Sequence, residues 1–197
     1  MGARRARRLT KPLLMPVLAT HVAGADDPGG AKPWVLAGLG LSCVGDVALL
    51  GQGEDAFVVG LGSFLVAHVC YLAALSKRRA GGVRRAPALA AGYGVGWLGL
   101  NLILLPRTGR FRLPVLVYGT ALAAMALAAL ETGSPSVAAG GAAFLVSDGI
   151  LALDTFGAAS LPRADGLVML TYTVAQVLIA TGLTSSAGER RRRNRRI

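Results

Sequence analysis

Three ionisable residues stand where ionisable residues are rare: Asp46, His68 and Asp148. Asp46 and His68 fall in the stretch Leu41 to Leu75, LSCVGDVALLGQGEDAFVVGLGSFLVAHVCYLAAL, two membrane-length apolar runs joined by a short polar loop; Asp148 falls in a third run, FLVSDGILA. A charged side chain in a spanning helix costs about 2.5 to 3.5 kcal/mol on insertion scales, so such residues face a bundle interior or a wet cavity and mark functional sites. Carboxyl and imidazole groups held there can keep, donate or relay a proton.

The elements that must position them follow from composition. With 53% hydrophobic residues, 16% charged residues and a mean hydropathy of +0.55 over 197 residues, the chain does not suit a water-soluble domain. The formal net charge of +11 arises from Arg and Lys clusters at the ends of apolar runs. Such clusters read as topology signals and anionic-lipid contacts; no nucleic-acid-binding module accompanies them, and nucleic acid is not expected as a partner. Cys43 and Cys70 lie inside apolar segments and read as small core side chains, not as a disulfide.

Seven helices are expected in an all-α, polytopic transmembrane bundle. Residues 1–10 form a basic segment, 11–187 a single transmembrane domain and 188–197 a basic, disordered tail. The first helix spans Leu9 to Ala25, with Pro12 in its opening turn and Pro16 near enough to kink it. Six further runs cover 33–51, 56–76, 86–105, 113–130, 136–156 and 166–187, each about 18 to 22 residues and so able to cross a bilayer core of about 30 Å. The connectors, DDPGGAK and SKRRAGGVRR among them, are rich in turn and charged residues. Glycines within the runs, including Gly38, Gly45, Gly60, Gly92, Gly96, Gly140 and Gly141, are expected to serve close helix packing. With seven spans, nine cations fall on the N-terminal side and twelve on the other, a weak preference for a cytoplasmic C-terminus.

Following helix direction, Ser42, Asp46, His68, Asn101, Tyr118, Ser147, Asp148, Tyr172 and Gln176 all fall in or near one half of the bilayer, with Lys11 at the same level and Tyr71 somewhat deeper. Helical spacing groups Gly38, Ser42, Gly45 and Asp46 in one stripe, Phe64, His68 and Tyr71 in a second, and Phe144, Ser147, Asp148 and Leu151 in a third. A single polar cavity is the expectation. Blander readings stand beside it: a satisfied core histidine at His68, a snorkelling Lys11, helix-helix glue at Tyr172 and Gln176, an interfacial cap at Asp154, and solvated ends at His21 and Asp165.

Five motifs in order, TKPLLM (Thr10 to Met15), SCVGDVALL (Ser42 to Leu50), FxxGxxSFLVAHVCY (Phe57 to Tyr71), FLVSDGILA (Phe144 to Ala152) and YTVAQVLI (Tyr172 to Ile179), resemble the YhhN-type lysoplasmalogenase family of multi-spanning membrane proteins. The resemblance runs from Lys11 to Gly182. It implies an eight-helix pattern, of which this chain lacks the helix ahead of the Lys-Pro motif. It further implies hydrolysis of the vinyl ether bond of lysoplasmalogens to a fatty aldehyde and glycerophospho-ethanolamine or -choline, with Lys11, Asp46, His68, Tyr71, Asp148, Tyr172 and Gln176 at functional positions.

Vinyl ether hydrolysis begins with protonation of the outer alkene carbon; water then captures the oxocarbenium ion. The demand resembles glycoside hydrolysis, in which one carboxyl protonates and a second stabilises the cation or activates water. Asp46 and Asp148 are expected to form that pair, burial and mutual repulsion favouring one shared proton. His68 would orient or relay it, Ser42, Tyr71, Ser147, Tyr172 and Gln176 would hold water or the glycerol hydroxyl, and Lys11 would meet the lipid phosphate. No metal or cofactor is expected: two histidines without zinc-type spacing make a poor metal site. A non-enzymatic lipid binder or proton-coupled transporter is the alternative from another class. The expected setting is a bacterial plasma (inner) membrane, the expected partner a lysophospholipid.

Overall fold

The computed structural model describes residues 2–27, 29–159 and 162–184, with side chains from residue 13 onward. Among them every regular element is helical: α1 (Gly2–Gly24), α2 (Lys32–Ala48), α3 (Glu54–Ser76), the short α4 (Gly82–Arg85), α5 (Pro87–Leu104), a 3-10 turn (Gly109–Phe111), α6 (Arg112–Glu131), α7 (Pro135–Thr155) and α8 (Ala164–Thr184). Five helical segments are long and apolar enough to cross a membrane, those at residues 54–76, 87–104, 109–131, 135–155 and 164–184. The seven expected runs thus reappear as the seven long helices. Two of them are short of apolar length: α2 has 17 residues, and the apolar part of α1 is Leu13–Gly24.

Two boundaries differ from expectation. The first helix begins at Gly2, not Leu9, because Ala and Arg in GARRARRL are strong helix formers. Pro12 therefore lies inside α1, where it removes one hydrogen bond of the ladder, and not in its first turn. The connector SKRRAGGVRR holds a helical turn of its own, α4, because Glu131 fixes it: one carboxylate oxygen accepts from the Gly81 amide at 3.0 Å and the other from the Val83 amide at 3.1 Å. Gly82 passes so close to the Leu130 carbonyl that a Cβ there would lie 1.8 Å from its oxygen, so only glycine fits.

Helix ends carry the expected punctuation. Proline opens α2, α5 and α7, where its missing donor costs nothing. Cations close the preceding ends: Lys32 Nζ donates to the Ala23 carbonyl at the end of α1 (2.9 Å), and Arg107 Nη1 to the Ile103 carbonyl at the end of α5 (2.6 Å), complementing the negative end of each helix dipole.

The chain divides into two compact units, one of residues up to Arg78 with those from Ala180, the other of Arg79–Ile179. In the first, α2 packs against α1 and α3. The α2–α3 contact is a close zip of glycine against bulk. A Cβ on Gly38 would meet the Tyr71 ring at 2.7 Å, one on Gly45 the Phe64 ring at 2.6 Å, and one on Gly60 the Leu49 side chain at 2.6 Å. In the second unit α6 stands between α5 and α7, and α7 packs against α8 through Gly140, whose Cβ would meet Ile179 at 2.8 Å. Large apolar side chains point outward all along these helices, Val47, Val66, Val95, Leu102, Leu113 and Leu170 among them, as a lipid-facing surface requires. The chain is an integral membrane protein.

The zip predicts an asymmetry between glycines. Gly45→Ala, forced into the Phe64 ring, should lower unfolding stability in detergent by about 1–3 kcal/mol. Gly62→Ala, on the same helix pair with nothing within 4 Å of the new methyl, should be neutral or gain up to about 1 kcal/mol from helix propensity. Equal stabilities of the two variants would contradict the packing.

Candidate active site

Within the first unit the zip fixes a register. Gly38 faces Tyr71, Gly45 faces Phe64 and Leu49 faces Gly60, so the antiparallel pair runs in step and sets Ser42 level with Ala67 and His68. Asp46 then lies level with Ser63 and Phe64, about 7 Å along the axis from His68. The two expected stripes are both real: Gly38, Ser42, Gly45 and Asp46 are buried on α2, and Phe64, His68 and Tyr71 on α3. His68 and Ser42 have no exposed surface, and Asp46 is 2% exposed. Asp46 also occupies the last turn of α2, where a carboxylate faces the negative end of the helix dipole.

Within the second unit the polar residues divide between two faces of α7. One face meets α8: Ser147 Oγ donates to the Val168 carbonyl at 3.2 Å, and the Phe144 and Tyr172 rings meet edge to face at 5.6 Å and 81°. Tyr172 and Gln176, one turn apart on α8, are buried. The other face meets α5 and α6. There Tyr118 Oη donates to a carboxylate oxygen of Asp148, at the wall of a cavity of about 370 Å³. This cavity is lined chiefly by apolar and small residues of α5, α6 and α7, with Asn101 and Trp97 on the α5 wall.

The third expected stripe is therefore corrected. Ser147 and Asp148 are adjacent in sequence, about 100° apart around the helix, and serve different neighbours. Leu151 is exposed and belongs to neither group; Asp154, near the end of α7, is also exposed. The uniform packing role given to glycines is corrected too. Gly38, Gly45, Gly60, Gly140 and Gly141 pack closely, whereas Gly92 and Gly96 have nothing within 4 Å of a would-be Cβ because they border the cavity. The side chain of Lys11 lies outside the described residues.

The partner of Asp148 is what the residue pattern missed. Helix direction put Tyr118 near the level of Asp148, but a lone tyrosine on α6 forms no stripe. A second unforeseen feature is Trp97, whose indole Nε1 is buried with no acceptor among the described residues, a state that costs about 1–3 kcal/mol. Asn101 spends its amide donor on the Trp97 carbonyl one turn earlier, at 2.8 Å.

Residues 6–183 match the YhhN family. The chain belongs to that family. It is similar to the lysoplasmalogenase of Mycobacterium tuberculosis, 34% identical over 179 residues that cover 85% of this chain and 67% of the relative. It is also similar to lysoplasmalogenase TMEM86B of Mus musculus, 35% identical over 164 residues covering 82% of this chain and 68% of the relative. To lysoplasmalogenase TMEM86B of Homo sapiens it is 38% identical over 155 residues, 77% of this chain and 64% of the relative. No solved structure matches it.

Side-chain hydrogen bonds between membrane helices average about 0.6 kcal/mol and reach at most about 1.7. Tyr118→Phe should accordingly cost no more than about 1.7 kcal/mol of stability in detergent unfolding. A larger loss would make the Tyr118–Asp148 bond a structural fastening.

Proposed function

We propose that this YhhN-family chain is a membrane-embedded lysoplasmalogenase that hydrolyses the vinyl ether bond of lysoplasmalogens, releasing a fatty aldehyde and a glycerophospho-ethanolamine or -choline. The observation that carries the reading is Asp148, a carboxyl group held by Tyr118 at the wall of a greasy cavity, in a chain whose relatives bear that enzyme's name. We place it in the plasma membrane of a bacterium; the mycobacterial relatives and the basic clusters flanking its apolar runs support that setting.

The chemistry needs a proton delivered to carbon. A carboxylic acid transfers its proton to the outer alkene carbon, the ether oxygen shares the resulting positive charge, and a carboxylate stabilises that cation. Water adds to the cationic carbon and loses its proton to a base; the hemiacetal then collapses to aldehyde and the free glycerol hydroxyl. Asp46 and Asp148 are the two carboxyls we assign to this work. His68, on the face of α3 that meets α2, is the assigned orienting or relaying group. Ser42 and Tyr71 in the first unit, and Ser147, Tyr172 and Gln176 in the second, are the polar groups assigned to water and the glycerol hydroxyl; Lys11 is assigned to the phosphate. Tyr118 joins them as a positioning residue, since its hydroxyl fixes the Asp148 carboxyl.

General acid–base groups contribute about 10²–10⁴-fold. Asp46→Asn and Asp148→Asn, purified in folded form, should each lose at least a hundredfold in aldehyde release, and wild-type rates in both would end the assignment. The route also leaves an isotopic mark. In D₂O the aldehyde, captured as it forms, should carry one deuterium on the carbon next to the carbonyl, and an ester lysophospholipid should yield no free fatty acid. Aldehyde without that deuterium would exclude protonation at carbon.

A further inference from the structure

The cavity bounded by α5, α6 and α7 extends well beyond the carboxyl group on its wall. Along α7 it runs from Ala142 to Ala152, about 15 Å of helix, with the Ala142 end about 9 Å from Asp148. Between Asp148 and that end the lining is chiefly hydrocarbon and glycine: Leu122, Leu145, Gly92 and Gly96, with the Tyr93 and Trp97 rings. Its volume of about 370 Å³ lies within the range of pockets that enclose small molecules, about 300–1,000 Å³. Val146 lines the cavity and is also 52% exposed, so the space opens sideways onto the lipid-facing surface. Gly92 and Gly96 lie one turn apart on α5, the helix with the smallest buried share among the five candidate spans, and neither would place a Cβ within 4 Å of anything.

We propose that this cavity is the binding site for the single hydrocarbon chain of the substrate, entered laterally from the membrane beside Val146, and that Gly92 and Gly96 set the longest chain it accepts. The occupant is a single-chain ether lysophospholipid; that the chain is an alkenyl one rests on the function proposed above. An apolar wall recognises hydrocarbon without directional bonds, so selectivity here comes from length alone. Both glycines line the cavity, and side chains placed on them meet no protein atom and extend into the open space there. Gly96 stands nearer the level of Asp148 than Gly92 does, so filling it truncates the site more severely.

Trp97 reports on this space directly. The chain has two tryptophans, and the other, Trp34, is 43% exposed at the start of α2. Full-length Trp34→Phe protein in detergent micelles is titrated with a non-hydrolysable 1-O-octyl lysophosphatidylethanolamine brominated at the chain end, and with the butyl analogue. Saturable quenching of Trp97 by both is expected. Gly96→Leu should weaken the octyl response at least tenfold and the butyl response less than twofold, with Gly92→Leu intermediate. Gly62→Leu, outside the cavity on α3, should leave both curves unchanged and controls for folding. Non-saturable quenching, or equal octyl binding by Gly96→Leu and the parent, would overturn the proposal. Aldehyde release from a vinyl ether lysolipid is measured alongside. Saturable quenching without aldehyde would leave the chain site standing and remove the lysoplasmalogenase reading; aldehyde without quenching would do the reverse.

Discussion

In a bilayer, apolar side chains gain nothing by leaving lipid for one another, so helices associate only as far as close packing and hydrogen bonding allow. That constraint governs this chain. The α2–α3 pair meets it by setting glycine against aromatic rings, Gly38 under Tyr71 and Gly45 under Phe64, which brings two backbones close enough for dispersion contacts to add up. The close approach has a chemical consequence. Because both stripes are locked in register, Ser42, Asp46 and His68 are all buried, and their levels along the axis follow from contacts they do not themselves make. Polar groups that are costly to bury are positioned here by apolar packing.

The second unit uses the same constraint differently. Where α6 meets α7, Gly141 seats against Ala126 and Ala129, and the helices lie tight. Nearer the other end of α7 the lining residues Gly149 and Ala152 are small as well, yet α5 does not close over them, and the space left is the cavity. Small residues thus do two opposite jobs: they draw helices together where a partner backbone is near, and leave a hollow where none is. The side chain alone does not say which. Only the neighbour decides, and the neighbour is a tertiary fact.

That distinction separates what could be read in the sequence from what could not. The seven long helices were legible because each apolar run approaches membrane length and ends in turn or charged residues. The buried stripes on α2 and α3 were legible because three- and four-residue spacing gives a face regardless of partner. The α7 stripe failed at Asp148 and Leu151: spacing groups four residues on one broad arc, but α8 covers only part of it, leaving Asp148 to Tyr118 and Leu151 to lipid. Helix α4 was hidden because its stabilising group, Glu131, lies far away in sequence. The start of α1 was not legible because residues 1–10 stand out only as a basic segment too charged to span, whereas arginine is an able helix former.

The placement of Asp148 suits the reaction proposed for it. An oxocarbenium-type cation is best stabilised by a fixed carboxylate in a medium of low dielectric, where electrostatic interactions weaken little with solvent screening. Such a medium also dissolves the hydrocarbon chain that carries the vinyl ether. A cavity whose wall is chiefly hydrocarbon, with one carboxyl held by one phenol, would supply both conditions in the same volume: the chain would bring the alkene in by its solubility, and the pinned carboxyl would meet it without reorganising. The phenol matters because a carboxylate loose in such a space would turn toward other donors or toward the headgroups. One donor from α6 is enough to prevent that, and its modest energetic worth suits a bond that holds a reacting group in place while leaving it able to change its charge.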